Sequence, residues 1–209
     1  MRKINKSTQP AYFTKAIKKI STPKQSSAWS CKEISSIRHQ LRDHMLINEQ
    51  LSLCVYCEKK INSDRRNSNI DHYKKRSLFP QLTLEYTNLV VSCNSEGRCS
   101  RHKDSQQRIA YHKVINPVKE NPEDYFDYLI AGDIHPKKDL NKTDKAKAEY
   151  TIDVFNLNHI GLIQERKKVV YSIKSYQGQL ELEDILKCFP YYPTFVKCIW
   201  EKLSATASS

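Results

Sequence analysis

The chain has 209 residues, with 35 lysines and arginines against 23 acids and a formal net charge of +12. That length suits one compact catalytic module with a helical surround rather than two large domains. No run of about 18 apolar residues is present to cross a bilayer, so no membrane partner is expected. The positive field favours polyanions, above all nucleic acid, because neutralising phosphates releases condensed counterions. The basic N-terminus lacks the apolar stretch of a secretory signal, and the expected location is the cytoplasm.

Residues 1–28 carry Arg2, Lys3, Lys6, Lys15, Lys18, Lys19 and Lys24 and no acid. Beyond a short helical turn near Ala16 to Ile20 they show no firm periodicity. They read as a basic N-terminal arm suited to a phosphate backbone or an acidic partner, or as a solvated tail. Over 29–53 an amphipathic helix is expected, running to about Gln50. Ser30 and Glu33 have the spacing of a capping box, and Ile34, Ile37, Leu41 and Met45 recur at three- and four-residue steps.

Residues 54–105 are rich in turn-formers and metal-ligand types. Cys54-Val55-Tyr56-Cys57 is a C-x-x-C pair, and Cys93 with Cys99 makes a second, between which Asn94 to Arg98 must loop out. Two such pairs fill the four tetrahedral positions of Zn²⁺ and leave none open, which makes a structural site. Clustered cysteines in an unsecreted chain read as metal ligands rather than disulfides. Cys31, Cys188 and Cys198 stand apart and read as buried small apolar residues. A strand is expected near Asn69 to Tyr73, an extended piece near Leu89 to Ser92, and a helix from about Ser100.

Over 106–209 the chain reads as mostly helical. Asn121 to Asp124 is a helix start or turn ahead of an element over Tyr125 to Ile130 that Gly132 ends. A long helix is expected from Asp144 to about Ser172, broken near Asn156 to Gly161. A further helical region, Glu181 to Ile199, is interrupted by Pro190 and Pro193, and 204–209 should be disordered. Phe189, Tyr191, Tyr192, Phe195 and Trp200 are either core or a docking surface. Four glycines and no G-x-x-x-x-G-K-[ST] loop exclude a P-loop ATP site.

Ile70-Asp71-His72-Tyr73 between the cysteine pairs, Asn88-Leu89-Val90 before the second, and Arg101-His102-Lys103 after it follow the pattern of zinc-bearing HNH endonucleases. With Leu53 to Glu58, Asn88 to Asn94, Asn121 to Phe126 and Asn156-Leu157-Asn158, the chain resembles the HNH subunit, PtuB, of Septu-type antiphage pairs, also found as a retron effector. The resemblance implies an α+β fold, a zinc-stabilised ββα-metal core flanked by N- and C-terminal helices. It implies hydrolysis of nucleic acid phosphodiesters, DNA above RNA, with a PtuA-like ATPase partner and in some systems a retron reverse transcriptase and its DNA. By the same resemblance His72 is the general base, Asp71 a ligand of catalytic Mg²⁺ or Mn²⁺, and Asn88 the residue that orients the imidazole. Much of the family places a further ligand directly after the last cysteine, where this chain has Ser100. His102 is the candidate in its place, and Asn94 the alternative.

Strand geometry lets neighbouring Asp71 and His72 face opposite ways and divide metal binding from water activation. Lys74, Lys75, Arg76 and Arg101 flank the site as phosphate-binding candidates. The competing readings are a ribonuclease acting on host RNA such as tRNA, and a non-catalytic zinc-binding or adaptor module. The latter needs neither Asp71 nor His72.

Overall fold

A computed structural model describes residues 1–207, and its architecture is α+β. The N-terminal segment is not the loose arm its charge suggests. Met1, Ile4, Phe13 and Ala16 are buried in the main core, and Ile4 N donates to Pro117 O at 2.8 Å. Helix α1 (Ala11–Ile17) starts earlier than the expected turn. The apolar residues of this segment outweigh its cations, one of which, Lys6 ahead of α1, is satisfied by Glu49 at 2.6 Å and lies 3.8 Å from the Tyr86 ring centroid.

The single helix expected from Trp29 is broken. A 3₁₀ turn over Ser26–Ser30 leads to one turn of helix, α2 (Lys32–Ser35), and then to α3 (Arg38–Asn48). Ser30 ends the 3₁₀ turn, so Cys31 becomes the N-cap of α2, no side chain caps it, and the capping box with Glu33 does not form. The apolar face is nonetheless seated, with Ile34, Leu41 and Met45 fully buried.

Strands β1 (Ser68–His72) and β2 (Leu89–Cys93) pair antiparallel, Ser68 opposite Cys93 and His72 opposite Leu89. The β2 sequence Leu-Val-Val-Ser-Cys suits a strand covered on both faces, and all five residues are buried. Helix α4 (Cys99–Ser105) follows and packs on β2, as does α3. The Gln50 amide closes the other edge of β2, accepting from Val91 N at 2.7 Å and donating to Val91 O at 2.8 Å.

Beyond this ββα unit, a 3₁₀ turn at Pro122–Asp124 precedes a hairpin of β3 (Phe126–Tyr128) and β4 (Ile134–Pro136). Gly132 turns the hairpin at φ +94°, where a Cβ would lie 2.6 Å from Ile163 O. Helix α5 (Lys142–Phe155) stops at left-handed Asn156, and the His159 side chain caps α6 (Ile160–Lys174). These two occupy the expected long helix and its break.

Helix α7 (Leu182–Cys188) and α8 (Pro193–Ala207) follow, with Pro193 at the first position, where its missing N–H costs nothing. Phe189, Tyr192, Phe195 and Trp200 join the core, so the docking alternative fails for these four. Helix α8 runs through most of the expected disordered tail, and 208 and 209 lie outside the described residues. Cys188 is exposed and Cys31 and Cys198 are half-buried, against the expectation of three buried thiols. No helix among the described residues is long and apolar enough to cross a membrane.

Candidate active site and zinc centre

The two ends of the β1–β2 pair carry different chemistry. At the Ser68–Cys93 end the ligand-type Sγ atoms of Cys54, Cys57, Cys93 and Cys99 all lie within 4.8 Å of one another, and all four residues are buried. The C-x-x-C turn is closed by Cys54 N donating to Lys59 O and Glu58 N to Cys54 O, both at 2.9 Å, with Glu58 at φ +62°. The looped-out insertion is fastened by buried Arg98, which donates to Glu165 at 2.7 Å and to Ser95 Oγ at 3.2 Å.

Thiols this crowded cannot share one protonation state. Hydrogen bonds from Cys54, Cys57 and Cys99 push Cys93 far below the ordinary thiol range, while contacts led by Cys54 push Cys57 and Cys99 above it. Four buried sulfur donors converging on one point are the set that a closed tetrahedral Zn²⁺ site uses.

At the His72 end a cleft of about 530 Å³ opens, with Trp29, Asn69, Asp71, His72, Lys75, Arg76 and Asp104 among its walls. His72 Nε2 lies 2.9 Å from Thr83 O. A carbonyl only accepts, so Nε2 carries the proton and Nδ1 the lone pair. The Trp29 ring meets the imidazole edge-on at 4.7 Å, and His72 is 7% exposed. Burial pushes the imidazole down to about 4; the Arg76 and Lys103 charges act the same way, while the Thr83 bond and Asp104 oppose them. His72 is therefore neutral at physiological pH.

Asn88 fixes the loop that holds this histidine. Its Oδ1 accepts from Lys74 N at 2.8 Å, and its Nδ2 donates to Lys74 O and Leu82 O, both at 3.1 Å. Leu82 precedes Thr83, whose carbonyl accepts from His72, so the carboxamide ties both flanks of the loop around the ring.

Asp71 is arranged otherwise than expected. It is 4% exposed, and its two oxygens accept from Lys103 Nζ at 2.6 and 2.8 Å, with Tyr56 OH donating to the second at 2.5 Å. Lys103 also donates to His72 O at 2.5 Å. Lys103 stands one helical turn after Cys99 on α4 and so shares its inward face, whereas half-buried His102 is turned away and does not line the cleft. Asn94 is committed to Arg65 O at 2.5 Å.

Of the basic candidates, Lys75 and Arg76 line the cleft, and Arg76 reaches Ser26 O at 2.9 Å. Lys74 turns to the Phe79 ring at 5.1 Å, and Arg101 is exposed on α4. Neither lines the cleft.

In this structure both Asp71 oxygens are thus engaged by Lys103 and Tyr56, and His102 lies outside the cleft walls. Among the described residues only the cysteine quartet gathers three or more Cys, His, Asp or Glu donors. Asp104 does offer a carboxylate to the cleft, its pKa raised by burial and by Asp71 against the pull of Lys103, 3.4 Å away. One carboxylate completed by phosphate oxygens and waters is a set that Mg²⁺ accepts.

The sequence motifs assign no role to Trp29, Tyr56, Thr83, Lys103 or Asp104, although Tyr56 and Lys103 lie within them. The four-residue step from Cys99 to Lys103 was the one signal available; Trp29 and Thr83 reach His72 only through tertiary packing.

No model of a known protein family matches the chain. The "Retron Vc95 putative HNH endonuclease" of Vibrio cholerae serotype O1 biovar El Tor is 31% identical over 158 residues, 70% of this chain and 73% of that protein. The "Septu protein PtuB" of Bacillus thuringiensis is 28% identical over 110 residues, 51% of this chain but 37% of its own length. A neutral histidine between a cysteine quartet and a basic cleft, together with this similarity, places the chain in the family of PtuB-like HNH endonucleases.

Proposed function

We propose that the protein is the nuclease of an antiphage defence system and hydrolyses DNA phosphodiester bonds. The observation that carries this reading is His72, held as one tautomer by Thr83 O at 2.9 Å and kept neutral in a cleft lined by Lys75 and Arg76. A neutral imidazole removes a proton from water, and the cations hold the scissile phosphate. Water activation is the chemistry that DNA requires, because it has no 2′-hydroxyl to serve as an internal nucleophile. Asn88 acts as a positioning residue by fixing both flanks of the histidine loop.

Mg²⁺ or Mn²⁺ would be held by Asp104 together with substrate phosphate, and supplies Lewis-acid neutralisation of growing negative charge when bound. The protein's own cation next to Asp71 is Lys103, which fixes the backbone of His72 through its carbonyl. Zinc at the cysteine quartet is proposed as the structural metal.

Control in trans is part of the proposal. Trp29 and the Ser26–Ser30 turn form one wall of the cleft against His72 and Arg76, a strap whose movement would widen access to the base. A PtuA-like ATPase, and in a retron setting the reverse transcriptase with its DNA, is the proposed partner that moves it. The test is cleavage of plasmid, single-stranded DNA and total RNA by the zinc-loaded chain, with and without the co-expressed ATPase, in a divalent-metal titration. DNA cleavage that rises with the ATPase and disappears in His72→Ala supports the reading. RNA-only cleavage, or cleavage that survives in His72→Ala, overturns it.

A further inference from the structure

A second groove, of about 480 Å³, lies away from the His72 cleft and has different walls: Lys59 and Lys60 from the C-x-x-C turn, Lys168 from α6, and Tyr191 from the segment before α8. Its frame is rigid. Lys59 and Lys60 directly follow Cys57-Glu58, with Lys60 in a β-bridge to Leu53, and Tyr192 N donates to Glu58 O at 2.9 Å. The one acid in the groove, Glu165, is already engaged by Arg98 at 2.7 Å, by Lys59 at 3.7 Å and by the Tyr192 hydroxyl.

Apart from Lys59, the cations of this face are not spent on acids. No ion pair involves Lys60, Lys167, Lys168 or Lys174 among the described residues. Lys167, Lys168, Tyr171 and Lys174 recur at three- and four-residue steps and share the outward face of α6. Tyr171 is 75% exposed, the most exposed large hydrophobic side chain of the described residues. A face of lysines with tyrosines and no free acid matches neither a solvated charge-balanced helix nor an apolar docking stripe. Lysines with aromatic faces between them match a polyanion that also carries stackable rings.

We propose that this groove and the outer face of α6 bind single-stranded nucleic acid, the lysines contacting successive phosphates and Tyr171 stacking on a base. The proposal rests on the nuclease reading only for its biological sense, since binding here is separate from cleavage at His72. A rigid second site would hold a strand while the cleft acts, raising the apparent affinity for long substrates by effective concentration.

The test uses the full-length zinc-loaded His72→Ala protein and fluorescence anisotropy with a labelled single strand of about 30 nucleotides, and the same sequence as duplex. Lys60→Gln/Lys168→Gln is expected to weaken single-strand binding and to lower the slope of log K against log salt by about 1.4, roughly 0.7 for each lost contact. Tyr171→Ala is expected to weaken it at least about fivefold, the low end for base stacking. Both changes are on exposed side chains, and zinc content and circular dichroism check that the fold is kept. Unchanged single-strand binding in both variants overturns the proposal, as does loss of ATPase co-elution with nucleic acid binding intact, which would make the face a protein-docking surface. Tyr171→Ala weakening duplex as much as single strand overturns the stacking. If the parent protein with His72 cleaves nothing while the groove variants lose binding, the nuclease reading fails and this one stands.

Discussion

The two ends of one short hairpin differ in what they ask of the chain. The cysteine end and the histidine end are separated along β1 by four residue steps, roughly 13 Å. At the first, four identical donors converge, all buried and none facing a cleft. At the second, unlike groups meet a solvent-lined cleft: a base held neutral, a carboxylate bound to an ammonium, and cations at the rim. The first end is built to be closed and the second to be entered. Zinc held by the four cysteines would make the first end a knot, bracing a module with little sheet around a cleft that keeps a buried lysine and a depressed imidazole.

The largest effect expected from this contrast is at the knot. Zinc binding to a structural thiolate site is worth about 10–16 kcal/mol at neutral pH, as much as the whole net stability of a domain, about 5–15 kcal/mol. Cys54→Ser or Cys57→Ser should therefore give unfolded or insoluble protein, and strong chelators should melt the wild type. Metal analysis should find one zinc per chain. Folded, zinc-free protein would show that the quartet is a cluster of packed thiols and not a metal centre.

At the other end the fold should survive while the chemistry goes. His72→Ala should lower cleavage by about 10²–10⁴, the usual contribution of a general base, with zinc content and melting close to wild type. Asp71 blurs the division between the two ends. Its pair with Lys103 is almost fully buried, and removing one member of such a pair leaves an uncompensated charge at a cost of about 3–5 kcal/mol. Lys103→Ala and Asp71→Ala should each lower stability by about that much in denaturant melts. The double replacement Asp71→Leu/Lys103→Met should recover most of it without restoring activity. Single variants as stable as wild type would mean that the pair is open to water in solution and that Asp71 is free to take a cation after all.

The same contrast explains what could be read from the sequence. Cysteine spacing and the Ile70-Asp71-His72 and Asn88-Leu89-Val90 motifs are local signals, and β1, β2 and α4 lie within a residue or two of where they place them. Asp71 and His72 are identified by the resemblance to HNH endonucleases that these motifs carry, which says nothing of their partners. Thr83 and Trp29 reach the imidazole across long loops, and no periodicity marks either. His102 is the sequence candidate because it stands nearest the family's ligand position at Ser100, whereas helix geometry gives the inward place to Lys103 beside it. The capping box at Ser30 failed because a 3₁₀ turn displaced the helix start by one residue. In the N-terminal segment seven cations conceal Met1, Ile4, Phe13 and Ala16, which the core needs.

The smallest expected effect is the one most sensitive to the strap over the cleft. His72 has an imidazole pushed down to about 4, against 6.5 for the free side chain, chiefly because Trp29 and its neighbours bury it. The unfolded chain therefore takes up a proton below about pH 6.5 that the folded one refuses until about pH 4. A folded pKa below the unfolded value means that this group's stabilisation is complete above pH 6.5 and drains away as pH falls toward 4. Wild-type stability should decline across that window by more than that of His72→Ala, which lacks the group. Nuclear magnetic resonance of the zinc-loaded protein without other metals should show one histidine still neutral at about pH 5.5, where an ordinary imidazole is about nine-tenths protonated. Binding an oligonucleotide should raise that pKa, since a phosphate beside the ring favours its charged form. Should His72 titrate near 6.5 in the free protein, the strap is open at rest, and restraint of the nuclease must come from somewhere other than Trp29.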